Sequence, residues 1–72
     1  METIPDRIRF GGQIRTLRLS IGWTQEELAT KAGLHPTYVG GIERGERNVG
    51  LDNILKLARA LQVPTSTLFR ED

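Results

Sequence analysis

Apolar positions recur along the chain at helical spacing. Phe10, Ile14, Leu17 and Ile21 fall four, three and four residues apart, which is one face of a helix beginning near Arg7. Leu28, Ala29 and Ala32 repeat the pattern over a shorter second segment, and Val39 and Ile42 give a third an inward side. Leu51, Ile54, Leu55, Ala58 and Leu61 make the strongest stripe, on a fourth helix. Thr65 to Phe69 is a last helical turn or two carrying Leu68 and Phe69. No run alternates apolar and polar positions with β-branched enrichment, so no strand is predicted. The pattern predicts an all-α, five-helix chain.

The residues between the stripes mark starts and stops. Met1 to Asp6 is a short lead, and Pro5 tolerates a helix start. Gly11 and Gly12 each weaken the first helix by about 1 kcal/mol relative to Ala, and close approach of another helix would account for them. Gly22 supplies a stop, with Trp23 a candidate apolar contact over the helix end. Thr24 with Glu27 three residues later is a capping-box pattern opening the second helix. Gly33 stands where a chain leaving a helix takes positive φ. Pro36 fits the first turn of the third helix, and Gly45 ends it. Glu46 to Gly50 is a polar loop, Asp52 suits the start of the fourth helix, and Val63 before Pro64 resists continuing it.

Two helices as short as the second and third are unstable alone. Joined by a tight turn at Gly33, they have the spacing of a helix-turn-helix, whose second helix enters the DNA major groove.

Composition narrows the picture. The 72 residues read as one domain, residues 1–72, with a small core. No Cys is present, so disulfides and Cys-based zinc sites are excluded as supports. Oligomerisation is the remaining route to more buried surface. No apolar run approaches a membrane span, and no secretory signal layout opens the chain, so a soluble cytoplasmic protein is expected. The net charge of +1 says little by itself; its distribution says more. Eight of ten basic residues are Arg, and four of them lie between Arg7 and Gln25 without an intervening acid. Arg suits phosphate and base-edge contacts; scattered solvated charge reads the same feature equally well. Enzymatic chemistry finds no support: one His, no Cys and only two Ser, none in a nucleophile–base pattern. No cofactor or metal is expected.

The segment Gln25-x-x-Leu28-Ala29-x-x-x-Gly33-Leu34-x-x-x-x-Val39-x-x-Ile42-Glu43-x-Gly45 resembles the helix-turn-helix core of the phage repressor and Cro (XRE) family. Flanking pieces extend the likeness over about residues 7 to 69. These are Ile14-Arg15-x-Leu17-Arg18, Trp23 to Glu26, Arg44-Gly45-x-Arg47-Asn48-Val49, Leu57-Ala58-x-Ala60-Leu61-x-Val63-Pro64 and Leu68-Phe69. Within the family, Gly33-Leu34-His35-x-Thr37-Tyr38 and Ile42 to Val49 look most like restriction–modification controller proteins.

The resemblance implies a compact lambda-repressor-like DNA-binding domain, with the helix-turn-helix over about residues 24–45. It implies a sequence-specific transcriptional regulator: a homodimer on a pseudo-palindromic site in double-stranded DNA, with no small-molecule effector and no membrane. Gln25 would meet phosphate, and Thr24 before it would also contact DNA. His35, Pro36, Thr37, Tyr38 and Gly41 would face outward on the recognition helix, and Arg44, Arg47 and Asn48 would act at and beyond its end. His35 reads as a helix cap or a phosphate neighbour, and Tyr38 as a DNA contact or a half-buried packing aromatic. Arg18 and Glu43 would form a partly buried ion pair that orients the recognition helix. Leu61, Val63, Leu68 and Phe69 would supply a dimer interface. The sequence departs from many relatives in lacking Arg, Lys, Asn or Gln on this helix before Arg44, so direct base readout is expected to be sparse and DNA shape to matter more. Two other readings stay open: a different stand-alone phage-type repressor, or an antitoxin whose main role is to bind a toxin.

Overall fold

The computed structural model describes residues 4–70. The order is α1 (Pro5–Ile21), α2 (Gln25–Ala32), α3 (Pro36–Glu43), α4 (Leu51–Leu61) and a 3-10 helix, Thr65–Phe69. No strand occurs among the described residues. α3 packs on α1 and α2, α4 packs on α2, and the 3-10 helix closes against α1 and α4.

Local chemistry sets most of the boundaries. Thr24 and Glu27 form a complete capping box: the Glu27 N–H donates to Thr24 Oγ1 (3.1 Å) and the Thr24 N–H to Glu27 Oε1 (2.9 Å). Gly22 and Gly33 end α1 and α2 at φ of 91° and 70°. After Gly33, the Leu34 N–H reaches back to the Ala29 carbonyl (2.9 Å), pairing a helix-end acceptor that would otherwise be free. α4 ends in the same left-handed form, but on Gln62 (φ 59°) rather than on glycine.

The core is Ile14, Leu28, Ala29, Ala32, Val39, Ile42, Leu57, Ala58, Leu61 and Leu68, with Phe10, Leu17, Trp23, Tyr38, Ile54 and Val63 packed half-buried against it. Several expectations are corrected here. The fifth helix is a five-residue 3-10 turn, too short for a row of i→i−4 bonds, and Gln13 Nε2 donates to its Thr67 carbonyl (2.9 Å). α1 starts at Pro5, earlier than the apolar stripe suggested. Ile21 is exposed, because Arg18 is the last buried side chain before α1 ends. On α4 the buried face runs through Leu57, which the stripe omitted, while Leu51 at its start is 69% exposed. Leu61 and Leu68 belong to the protomer's own core and are not free to face a second copy, whereas Val63 is half-buried and Phe69 is exposed.

Gly11 marks the closest helix approach. A Cβ there would lie 2.0 Å from the Ile42 carbonyl oxygen of α3, so only glycine lets α1 and α3 pack at this separation. Gly12 faces open space and has no such reason.

Candidate nucleic-acid interface

Glu43, at the C-terminal end of α3, is the point where three helices meet. Arg18 of α1 donates to it through two nitrogens, Nε to Oε2 at 2.7 Å and Nη2 to Oε1 at 2.9 Å. Gln25 of α2 adds Nε2 to Oε1 at 3.0 Å. Both charged side chains are nearly excluded from water, at 7% and 2% exposed. Arg18 also donates from Nη1 to the Trp23 carbonyl (2.7 Å), which ties the α1–α2 corner to the same guanidinium. The hydrogen bond to Glu43 holds the Arg18 pKa above its ordinary value; burial works against this and Coulomb attraction to Glu43 adds to it. A raised arginine pKa means the pair's Arg side persists below that value and is lost only as pH climbs through it.

This network sets the first turn of α2. Gln25 starts that helix with one amide N–H committed to Glu43, and an amide nitrogen carries two. The second can serve a phosphate beside the free backbone N–H groups of the turn. Thr24, Gln25, Glu26, Pro36, Thr37 and Arg18 line one open groove, so the first turns of α2 and α3 share a surface.

α3 begins at a side-chain cap: the Thr37 N–H donates to His35 Nδ1 (3.1 Å). His35 and Thr37 are exposed and Pro36 is half-buried. Tyr38 is half-buried; its hydroxyl accepts from Asn53 Nδ2 of α4 (3.2 Å), and its ring lies under the Arg47 guanidinium, 5.7 Å from the centroid. Arg44, Arg47 and Asn48 are exposed, and Arg44 pairs with Glu46 at 3.2 Å. Gly41 corrects its expected outward placement, being buried because the Arg47 side chain folds back across it. The structure therefore brings Thr24, Gln25, Pro36 and Thr37 to one groove and joins Tyr38 to Arg47. Asn53 was missed by sequence reasoning; it reaches Tyr38 only through the docking of α4, which leaves no signal in local spacing.

Among the described residues, no group of three or more His, Asp or Glu could hold a metal, and no helix is long and apolar enough to cross a membrane.

A helix-turn-helix family model, HTH_3, matches residues 14–68. The control protein C.BamHI of Bacillus amyloliquefaciens is 49% identical over 63 residues, covering 86% of this chain and 78% of that protein. The control protein C.MunI of Mycoplasma sp is 38% identical over 66 residues, covering 90% of this chain and 89% of its own. Among solved structures, the restriction–modification controller protein C.AhdI from Aeromonas hydrophila superposes with a TM-score of 0.90 at 52% identity, over 92% of this chain and 100% of that one. The proteins of this group are transcription regulators and not enzymes. With a capped α2, a tight turn at Gly33 and an exposed α3 start, the chain belongs to the helix-turn-helix family of XRE type and is a DNA-binding transcription regulator.

Proposed function

We propose that the chain is a controller-type regulator of a restriction–modification system, acting as a homodimer on a pseudo-palindromic DNA site. The observation that carries the DNA-reading part is the shared groove at the first turns of α2 and α3, with Gln25 held there by Glu43. Thr24 and Gln25 take phosphate contacts, which position the domain; Thr37, Tyr38 and Arg47 reach bases; Arg44 and Asn48 flank the helix end. His35 caps α3 beside the phosphate path. Arg18 and Glu43 orient α3 without touching DNA.

The dimer rests on an apolar patch. Phe69 is 53% exposed, with its ring centroid 5.2 Å from that of Phe10. Val63, half-buried, adds to the C-terminal surface. A second copy covering this patch by two-fold symmetry sets the two recognition helices about 34 Å apart, one DNA turn. No effector is needed: occupancy follows protein concentration, in a cytoplasmic setting.

Selection of bound duplexes from a random pool, repeated at several salt concentrations, tests this reading. The expected result is an enriched two-fold-symmetric sequence on top of a salt-dependent background. Equal binding to every duplex would overturn it. Stable capture of an unrelated protein with no DNA preference would favour the toxin-binding alternative.

A further inference from the structure

We propose that Gly41 and Asn53 are positioning residues for base reading, holding Arg47 and Tyr38 as one preset unit. The inference rests on the DNA-reading role of Arg47 and Tyr38 given above. Gly41 lies in the middle of α3, where glycine weakens a helix and no positive φ requires it. What it provides is space. A Cβ at this position would stand 2.9 Å from Arg47 Nε and 3.1 Å from Arg47 Cγ, so any larger residue displaces the Arg47 side chain. The displaced atoms belong to a flexible side chain on an exposed loop, so the helix can accept the methyl and Arg47 moves.

Arg47 lies across that bare stretch of helix with its guanidinium over the Tyr38 ring. Tyr38 is in turn tethered by its hydroxyl to Asn53 on α4. Each side chain has a floor or a tether from a different element: α3 under Arg47, Arg47 over Tyr38, and α4 at the phenol. An arginine fixed before binding surrenders less rotamer freedom on contact than one swinging in solvent. On a recognition helix with few polar side chains, the arginine arriving from the loop becomes the main directional donor, and its aim is set by a residue with no side chain.

The test compares wild type, Gly41→Ala, Arg47→Ala and the double variant on a selected duplex and on a scrambled duplex of equal length and salt. Gly41→Ala is expected to keep its scrambled-duplex affinity within about twofold and to lose preference for the selected duplex by about tenfold, the scale of one well-aimed arginine–base contact. In the Arg47→Ala background the same substitution is expected to change that preference by less than about twofold. Asn53→Ala breaks the tether while leaving the Tyr38 hydroxyl in place and is expected to lower the same preference several-fold; unchanged preference in Asn53→Ala overturns the assignment of Asn53. Full preference in Gly41→Ala, or an equal loss with and without Arg47, overturns the proposal. An NMR comparison without DNA decides it independently of the functional reading. Arg47 side-chain protons shielded by the Tyr38 ring are expected to move toward solvent-exposed shifts in Gly41→Ala. Unmoved shifts overturn the proposal even if wild type prefers no duplex at all, an outcome that would by itself overturn only the functional reading.

Discussion

Gln25 and Thr37 stand on the same groove, and the proposed function gives them different work. Gln25 is fixed by Glu43 at a helix start; because it is a proposed phosphate contact, Gln25→Ala should weaken binding to selected and scrambled duplexes about equally, with the salt slope little changed because the amide carries no charge. Thr37 is exposed, with its hydroxyl and methyl available to base edges, so Thr37→Ala should relax preference at particular base pairs by a factor of about 5 to 100. Base-by-base competition titrations separate the two, and a uniform loss for Thr37→Ala would move that residue to the phosphate class. A third residue bears on stability alone. Gln62 holds left-handed backbone where a side chain costs about 1–2 kcal/mol. Gln62→Gly removes that cost, offset in part by greater freedom in the unfolded chain. A net gain of about 1 kcal/mol is expected in urea unfolding.

Single elements were legible where their signals are local. The capping box needs only Thr24 and Glu27 three residues apart, and the Gly33 stop needs only its place after an apolar stripe; both stand in the structure as the spacing implied. The rest was hidden because tertiary packing decides it. On α4 the stripe Leu51, Ile54, Leu55, Ala58 and Leu61 fits a helical period, and only docking on α2 and the 3-10 helix exchanges Leu51 for Leu57 in the buried face. Gly41 looked outward because its cover comes from a loop six residues later. Leu61 and Leu68 looked surplus because their partners in the core are distant in sequence. The pair Gly11 and Gly12 shows the same division within one element. Gly11→Ala forces apart α1 and α3 and should cost several kcal/mol, roughly the scale of overpacking in a tight core. Gly12→Ala, one residue on, meets nothing and should stabilise by about 1 kcal/mol. Thermal unfolding of the two variants should therefore shift in opposite directions.

For the whole molecule, the ionic junction at Glu43 substitutes for apolar contact among three helices. A core of this size supplies only about 3–5 kcal/mol in total. Arg18→Met leaves the Glu43 carboxylate buried with Gln25 as its remaining partner and should cost about 3–5 kcal/mol, enough to leave much of the protein unfolded at room temperature. Circular dichroism would show it, and Glu43→Leu added to Arg18→Met should recover most of the loss. The proposed dimer would relieve this marginal balance by adding buried area at Phe69. Phe69→Asp removes a half-exposed ring at the end of the 3-10 helix together with its contact to Phe10, so the protomer should keep most of its helicity. The loss occurs twice in a two-fold interface, at about 0.8–1.6 kcal/mol each because the ring starts half exposed. The dimer dissociation constant in sedimentation equilibrium should therefore rise by about 10-fold or more.

The Arg18 hydrogen bond to the Trp23 carbonyl has an optical consequence. Trp23 is the chain's single tryptophan, half-buried at the α1–α2 corner with the Lys31 ammonium 5.9 Å from its ring. Its indole emission therefore gives an intrinsic, label-free report on closure of the α1–α2 corner, which the guanidinium holds by the Trp23 backbone. Trp23 also directly precedes Thr24 and Gln25, the proposed phosphate contacts, so the same emission should respond when a duplex seats on the first turn of α2.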